Sequence, residues 1–216
     1  RLPLEGIEKF EGSGVYYSAT SMHANMCKNS EIGIVGGGNS AGQAALFLAN
    51  HAHKVYVIIR NEDIGAKMSD YLVQRIFACD NIEVLTGSNV VKVDGDTNLE
   101  KVEIKQNDTL VQNNINYLFT FVGAKPCTEW LDNIIDTDAK GFVHTGLTIC
   151  DNALNGESVF KHRKPYTFET SLPGLFAVGD VRSGSVKRVA SAVGEGSIVV
   201  SDIHKFLALE TEVKTI

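Results

Sequence analysis

Three consecutive glycines, residues 36–38, constrain the fold of this chain more than any other feature. They follow a short apolar segment, residues 31–35, and precede an alanine-rich segment, residues 39–52, whose apolar residues have helical spacing. Residues 55–59 then form a β-branched run, which is typical of a parallel strand covered on both faces. Strand, glycine turn, helix and strand in this order predict a Rossmann-type βαβ unit.

The glycine turn has the residue pattern of a site for the pyrophosphate of a dinucleotide. A helix N-terminus offers unpaired N–H groups and the positive end of the helix dipole, and side chains would keep a phosphate away from them. Gly36 permits the tight turn, Gly38 lets the backbone approach the phosphates, and Ala41 allows helix and strand to pack closely. A turn that serves packing alone is the alternative. The predicted site comprises Gly36, Gly37, Gly38, Asn39, Ser40 and Ala41.

The end of the second predicted strand indicates which dinucleotide binds. An acidic residue there would accept hydrogen bonds from the ribose hydroxyls of NAD, but this chain has Arg60, whose guanidinium suits the 2′-phosphate of NADPH. Glu62 and Asp63 follow closely and could place negative charge near that phosphate, which Lys67 could offset. The alternative is that Arg60 is a solvated arginine at a strand end. The pattern favours NADPH.

The rest of the pattern indicates an α/β fold with an antiparallel insertion. Residues 69–77 have helical spacing, with Ser69 as a candidate N-cap, and residues 82–85 form another strand. Between residues 89 and 112, three short alternating runs separated by turn residues predict an antiparallel meander. Further elements are expected along the remaining chain: strands at 117–122 and 175–178, a loop-rich stretch at 136–166 and a helix at 186–207.

Composition and charge narrow the class of protein. The chain has 216 residues, 20 of them basic and 26 acidic, and its formal net charge of -6 argues against nucleic acid or an anionic membrane surface as the main partner. Its longest apolar stretch, residues 34–48, is too polar to span a bilayer, and residues 1–5 lack the apolar run of a signal peptide. A cytoplasmic protein is therefore expected.

Isolated cysteine, histidine and tryptophan side chains give no sign of a catalytic or metal site. The 4 cysteines are far apart, which predicts neither a local metal site nor a redox dithiol, and we expect them to be small buried hydrophobic residues. None of the 6 histidines belongs to a catalytic constellation. Trp130 is expected in the core or at an interface.

Two segments resemble the thioredoxin-reductase-like flavoproteins, and the resemblance covers nearly the whole chain. Residues 12–20 and the glycine turn are similar to the entry of the nicotinamide-nucleotide domain in that family. Residues 170–180, Thr-Ser-Leu-Pro-Gly-Leu-Phe-Ala-Val-Gly-Asp, with residues 187–196, resemble the C-terminal flavin-binding segment and are the more specific match. The resemblance implies a three-layer FAD/NAD(P)-binding α/β fold: a Rossmann-like parallel sheet with helices on its faces plus a small antiparallel meander.

The resemblance also implies a domain division and a flavin site. Residues 1–11 would be a linker, residues 12–123 an NAD(P)H-binding Rossmann-like domain, and residues 124–216 the C-terminal part of an FAD-binding domain. Asp180 would bind the ribitol chain of FAD, with the start of the next helix near the flavin ring, although an ordinary cap is the alternative role for Asp180. Besides the glycine turn and Arg60, the candidate cofactor-binding residues are Gly123, Gly179, Asp180, Lys187, Arg188 and Val189.

The chain departs from the pattern of this family in three respects. Ser18 and Ser21 stand where thioredoxin reductases have the two cysteines of a redox dithiol, and serine cannot form a disulfide. The basic residues after the second strand are only partly kept, because Arg60 is followed by Asn61 and a later arginine aligns with Gly65. The separate glycine motif that opens such flavoproteins is missing, so a piece of a longer flavoprotein is expected, with apolar surface left uncovered in its second part.

These features favour part of an NADPH-dependent flavin oxidoreductase. With NADPH and FAD as cofactors, hydride would pass from NADPH to FAD and on to an unidentified acceptor without a dithiol, and no catalytic residue is assigned. A regulatory or sensor module that binds NAD(P)H without turnover is the main alternative, and a redox-inert remnant is a third. The resemblance implies a homodimer.

Overall fold

The computed structural model describes residues 2–131, 134–149, 160 and 163–213. The chain forms two compact units, Arg1–Gly123 and Ala124–Ile216. Within the described part of the chain, no helix is both long and apolar enough to cross a lipid bilayer.

The first unit contains one parallel and one antiparallel sheet. Its strands are β1 Val15–Tyr16, β2 Glu31–Val35, β3 Lys54–Ile58, β4 Ile82–Leu85, β5 Ser88–Asp94, β6 Lys101–Gln106, β7 Thr109–Asn113 and β8 Tyr117–Thr120. The parallel sheet has the order β1-β8-β2-β3-β4, and the antiparallel sheet has the order β5-β6-β7. In the parallel sheet Ile32 is opposite Val55 and Ile34 is opposite Phe119. In this sheet β2 lies between β3 and β8, and the glycine turn follows the end of β2.

Side chains that alternate along β2 and β3 divide the core of this unit into two. Ile32, Ile34 and Val57 face the helices α1 Ser21–Met26, α2 Asn39–Ala49 and α3 Asp70–Phe77. Val35 and Ile58 face the opposite side, where apolar residues of the antiparallel sheet cover them. Because both faces are covered, the central strands are apolar along nearly their whole length, as a buried parallel sheet requires. The predicted three-layer α/β fold is confirmed, with the antiparallel sheet as the third layer.

The local predictions differ from the structure at some helix positions. The meander predicted between residues 89 and 112 is confirmed as β5, β6 and β7. Ser69 stands at the N-cap position of α3, but its side chain does not cap the helix, because its hydroxyl donates to Asn39 Oδ1 at 3.0 Å. Phe77 is 67% exposed although it belongs to the predicted helix, because α3 buries a stripe through Leu72 and Ile76 and ends at residue 77.

The second unit consists of short turns and one long helix, α4 Val189–Val213. The strand expected at residues 175–178 is absent: this stretch contributes to a single isolated bridge, between Phe176 and Glu169. The physical reason is that residues 168–177 fold back on themselves, with Thr170 N donating to Leu175 O at 2.8 Å. The described part of the stretch 136–166 is loop with short turns, as expected.

The apolar residues that predicted α4 are largely exposed. Val193, Ile198 and Leu207 are 64%, 55% and 53% exposed, whereas Val199 is buried. The small core of this unit instead contains Leu131, Ile135 and Val143, none of which belongs to α4. The helical spacing therefore predicted the element correctly, although it begins at Val189 rather than at residue 186.

Candidate functional site

The first glycine of the turn is required by the protein's own backbone. Gly36 has a φ of +144°, and its N–H donates to Ile58 O at 3.1 Å. A Cβ built on Gly36 would lie 2.7 Å from the carbonyl oxygen of Phe121, which is closer than any real side chain comes. Gly36 thus lets the chain turn sharply at the end of β2, where β3 and β8 lie on either side. A glycine is physically required at this position of the turn.

The third glycine faces open space. Gly38 is the N-cap of α2 with a φ of -101°, a conformation that any residue adopts, and a Cβ built on it would meet nothing within 4 Å. No contact with the described residues therefore requires a glycine here. The N-terminal end of α2, with its unpaired N–H groups and positive dipole end, is open to an anion at this point.

The next residues anchor the start of α2. Ala41 is fully buried, and a Cβ on Gly42 would lie 2.7 Å from Met68 Sδ, so α2 packs closely on its surroundings at both residues. Asn39 Oδ1 accepts hydrogen bonds from Ser69 N at 2.8 Å and from the Ser69 hydroxyl. Because Asn39 Oδ1 is occupied, the groups that Asn39 can offer to a ligand are its side-chain Nδ2 and its backbone N–H. Ser40 is exposed.

A cavity of about 230 Å³ lies at this end of the parallel sheet. Besides the three glycines, residues that follow β3 and β8 line it: Arg60, Asn61, Lys67, Val122 and Gly123. The structure thus brings the predicted residues Gly36, Gly37, Gly38, Arg60 and Gly123 to one place. Sequence reasoning did not include Val122, although its position at the carboxyl end of a parallel strand next to β2 was a usable signal.

The charge of this cavity comes from two cations. Arg60 and Lys67 both line it, whereas the nearby acids do not. Asp63 Oδ1 accepts from Gly65 N at 2.8 Å, and the Glu62 carboxylate lies beside Gly87, whose Cβ would be 2.6 Å from Glu62 Oε1. Of the acidic residues that could have opposed a phosphate, Asp63 is bound locally and Glu62 lies against Gly87, whereas Arg60 and Lys67 line the cavity.

The segment that carries a dithiol in the similar flavoproteins carries only hydroxyls here. Ser18 is exposed, and Ser21 is the exposed first residue of α1. The next cysteine along the chain, Cys27, is fully buried at the end of α1, and burial raises the pKa of its thiol to about 11. A buried thiol with a raised pKa is a poor nucleophile for thiol exchange.

Among the isolated cysteine, histidine and tryptophan side chains, one cysteine corrects the expectation. Cys27 is buried as expected, but Cys127 is exposed. Trp130 is 77% exposed, with its Nε1 donating to Cys127 O, which excludes the core and leaves the predicted interface position as a prediction. Cys150 lies outside the described residues. His23 is buried, and its Nδ1 accepts from Thr20 N at 3.2 Å, which closes the start of α1.

The second unit holds the predicted flavin residues around another glycine turn. Gly179 has a φ of +73° and is buried, and Asp180 next to it is exposed. Lys187 Nζ donates to Asp180 O at 2.7 Å and lies 4.0 Å from the ring centre of Phe142. The Lys187 ammonium thus holds the backbone of the turn.

The two residues at the start of α4 point away from the packed part of this unit. Arg188 is exposed, and Val189, the first residue of the helix, is 84% exposed. Their predicted contacts with a flavin remain predictions.

A half-buried glutamate was missed by sequence reasoning. Glu195 Oε2 accepts from Gly179 N at 2.6 Å, and Arg182 binds the same carboxylate through Nη2 at 2.6 Å. The hydrogen bond from Arg182 holds the pKa of the Glu195 carboxyl below its usual value and outweighs the opposite effect of burial. Sequence offered one signal, a glutamate on the first turns of a helix whose N-terminus follows the Gly-Asp pair.

Comparison with known proteins places most of the chain in one family. A family model described as pyridine nucleotide-disulphide oxidoreductase matches residues 1–196. The chain is 29% identical over 214 residues to a thioredoxin reductase of Debaryomyces hansenii, which covers 97% of this chain and 60% of the relative. It is 31% identical over 191 residues to that of Mycoplasmopsis pulmonis, with 88% and 55% covered.

Solved structures show the same fold. The crystal structure of Lactococcus lactis thioredoxin reductase in its FR conformation superposes with a TM-score of 0.78 and 26% identity, over 96% of this chain and 62% of that one. The T. acidophilum thioredoxin reductase gives a TM-score of 0.73 at 24% identity, over 99% and 62%, and supports the fold alone. The resemblance inferred from the sequence is confirmed, and the chain spans about 60% of the length of the first of these relatives.

Proposed function

Because the chain belongs to the pyridine nucleotide-disulphide oxidoreductase family, we propose that it is part of an NADPH-dependent flavin oxidoreductase. In this proposal residues 12–123 bind NADPH, and residues 124–216 supply part of an FAD-binding domain within a longer homodimeric protein. The observation that carries the proposal is the cavity at the glycine turn, which combines open backbone N–H groups with two cations.

The pyrophosphate of NADPH would lie against Gly37 and Gly38. Its negative charges are complementary to the N-terminal end of α2, and the open space above Gly38 is what a phosphate needs to reach the backbone. A β-carbon at Gly38 would fill that space. Gly36 contributes indirectly, because it sets the path of the chain.

Arg60 and Lys67 would bind the 2′-phosphate that distinguishes NADPH from NADH. A guanidinium binds phosphate oxygens through two parallel hydrogen bonds, and an ammonium adds a second positive charge. The proposal is supported by the positions of Glu62 and Asp63, whose carboxylates are turned to Gly87 and Gly65. Lys67 would then serve in place of the arginine that is missing at Gly65.

Asp180 fits a role in holding FAD. Within the described residues, its carboxylate has no hydrogen-bond or ion-pair partner, although it stands on a well-held turn and is exposed. A carboxylate in this state can accept a hydrogen bond from a ribitol hydroxyl without losing another bond. Bound FAD would supply the chemistry of accepting a hydride from NADPH and releasing its electrons.

The route of the electrons beyond the flavin would differ from that of a dithiol enzyme. Ser18 and Ser21 cannot be oxidised to a disulfide, and Cys27 is buried with a raised pKa. We therefore propose that the acceptor is a quinone, a metal centre, oxygen or an external partner, and that it takes electrons directly from the flavin.

The experiment that tests this function is anaerobic reduction of the flavin in the purified full-length protein. On addition of NADPH, the flavin absorbance near its visible maximum should disappear, and an equal concentration of NADH should act much more slowly. A protein that contains no flavin, or whose flavin stays oxidised with NADPH, would contradict the proposal.

A nucleotide-binding module without turnover is the second candidate, and the serines at positions 18 and 21 favour it. Such a module would bind NADPH at the same cavity and pass no electrons. Calorimetry with NADPH, NADH and FAD distinguishes the two: tight NADPH binding, with no flavin reduction in the full-length protein, would identify the module.

A further inference from the structure

We propose that Glu195 is a positioning residue that fixes the Gly179–Asp180 turn and thereby sets the direction of the Asp180 carboxylate. The inference rests on the proposed function, since Asp180 is the residue assigned there to FAD. Glu195 lies on the first turns of α4, away from the exposed residues Arg188 and Val189 at the start of that helix.

The contact between Glu195 and the turn is a charge-assisted hydrogen bond. Glu195 Oε2 accepts from the backbone N–H of Gly179 at 2.6 Å, and the two residues are far apart along the chain. A carboxylate that accepts from a backbone N–H forms a shorter and stronger bond than a neutral oxygen does. The peptide plane that leads into Asp180 is therefore tied to α4.

A small-residue contact reinforces this connection. A Cβ built on Gly179 would lie 3.2 Å from Cβ of Ala192, so the backbone of the turn packs directly on α4. With a φ of +73°, Gly179 adopts a conformation that other residues rarely take. The tight packing and the bond to Glu195 together hold the residue before Asp180 in this conformation.

Arg182 holds Glu195 in turn. It donates from Nε to Oε2 at 3.1 Å and from Nη2 to Oε1 at 2.6 Å, and both side chains are largely buried. Its Nη1 donates to Thr145 Oγ1 at 3.1 Å, and its guanidinium lies 5.0 Å from the ring centre of Phe168. The Glu195 carboxylate is thus held by Arg182, which belongs to the same turn, and Arg182 is held in turn by Thr145 and Phe168.

Lys187 binds the other end of the same peptide segment. Its ammonium donates to Asp180 O at 2.7 Å and to the Ser185 hydroxyl at 3.2 Å. The backbone is therefore held on both sides of Asp180, while the Asp180 carboxylate itself has no partner in the described part of the chain. An arrangement of this kind removes conformational freedom before a ligand binds, which strengthens binding.

The test is FAD affinity and backbone protection in the full-length protein with single substitutions. Glu195→Ala removes the bond to Gly179, and Glu129→Ala is the matched control, because Glu129 is an exposed glutamate of the same unit that pairs with Lys125. Binding is followed by flavin fluorescence at a temperature where all variants are folded. Hydrogen exchange with mass spectrometry follows the peptide that contains Gly179.

We expect Glu195→Ala to weaken FAD binding about tenfold and to speed exchange at Gly179, since a hydrogen bond to a charged group is lost. Glu129→Ala should change neither. An unchanged affinity in Glu195→Ala, with or without faster exchange, would mean that Glu195 only stabilises the fold, and unchanged exchange would mean that it does not hold the turn. Either result overturns the inference.

Two conservative variants keep the test decisive where Glu195→Ala fails to fold. Glu195→Gln keeps an oxygen within reach of Gly179 N, whereas Glu195→Asp keeps the charge but is one methylene too short. Positioning predicts that the Gln variant binds FAD more tightly than the Asp variant, and the reverse order overturns it. If the unsubstituted protein binds no FAD, the proposed function fails, and Glu195 is then judged on Gly179 exchange alone.

Discussion

The glycine turn at residues 36–38 and the one at Gly179 are held in place by different means. The first is the connection between β2 and α2, and it is positioned by strands on both sides and by cores on both faces of a parallel sheet. The second lies in a unit whose described residues form no extended sheet, and charged side chains hold it. Backbone pairing builds the first site, and ion pairs within a small core build the second.

The largest effect should therefore follow from breaking a buried ion pair in the second unit. Glu169 is fully buried and accepts from Arg163 Nη1 and Nη2 at 2.7 and 2.6 Å, and from Tyr166 N and Gly174 N at 2.9 Å each. Arg163→Ala leaves this carboxylate without its cation, which costs about 3–5 kcal/mol. Thermal and denaturant unfolding should show this loss.

Lys125→Ala is the control for that measurement. It breaks the ion pair between Lys125 and Glu129, which are 79% and 67% exposed, so the loss of stability should be much smaller than that caused by Arg163→Ala. If the two variants proved equally stable, the ion pairs would not be what holds the second unit together.

The next effect distinguishes two glycines within the first turn. Gly36→Ala forces a side chain toward the Phe121 carbonyl at a positive φ and should destabilise the protein by about 2 kcal/mol or more. Gly38→Ala has open space and an ordinary φ, so it should cost less than about 1 kcal/mol.

NADPH binding should show a different contrast. Gly38→Ala, although folded, is expected to bind NADPH at least about tenfold more weakly, because its methyl group occupies the space proposed for the pyrophosphate. Thermal melts of Gly36→Ala and Gly38→Ala measure their stability, and calorimetry measures their affinity for NADPH. A Gly38→Ala protein with unchanged NADPH affinity would place the pyrophosphate elsewhere.

The difference between the two glycine turns also explains how much of each site could be predicted from the sequence. Gly36, Gly38 and Arg60 lie within one βαβ unit, so spacing along the chain reports their spatial relation. Arg182 and Glu195 are joined by geometry that no local pattern encodes, and Thr145 approaches them from another loop. The failed strand at residues 175–178 has the same origin, because an apolar run becomes a strand only where a neighbouring segment pairs with it.

A smaller effect is expected on the choice between NADPH and NADH. Arg60→Ala should weaken NADPH binding about tenfold and leave NADH binding nearly unchanged, since only NADPH carries the 2′-phosphate. Lys67→Ala should act in the same direction with a smaller change, because an exposed ammonium makes fewer directed bonds. Equal losses for both nucleotides would remove Arg60 from the proposed phosphate site.

The smallest effect is acid sensitivity that is confined to the second unit. Hydrogen bonds from Arg182 hold the pKa of Glu195 below its usual value, and for Glu169 the bonds from Arg163 and from backbone N–H groups outweigh the burial that raises its pKa. A carboxyl with a lowered folded-state pKa contributes stability above its unfolded pKa of about 4.3. That contribution is lost as the pH falls through the lower, folded value.

Hydrogen exchange at several pH values can locate this acid loss. Protection of residues 163–183 should decrease as the pH falls below about 4, while β2 and β3 keep theirs, and the loss should be smaller than that caused by Arg163→Ala. The acid effect should be the smaller of the two, because protonation weakens these bonds but removes no side chain. If β2 and β3 lost protection at the same pH as residues 163–183, the two units would unfold together, and ion pairs would not set the stability of one unit separately from the other.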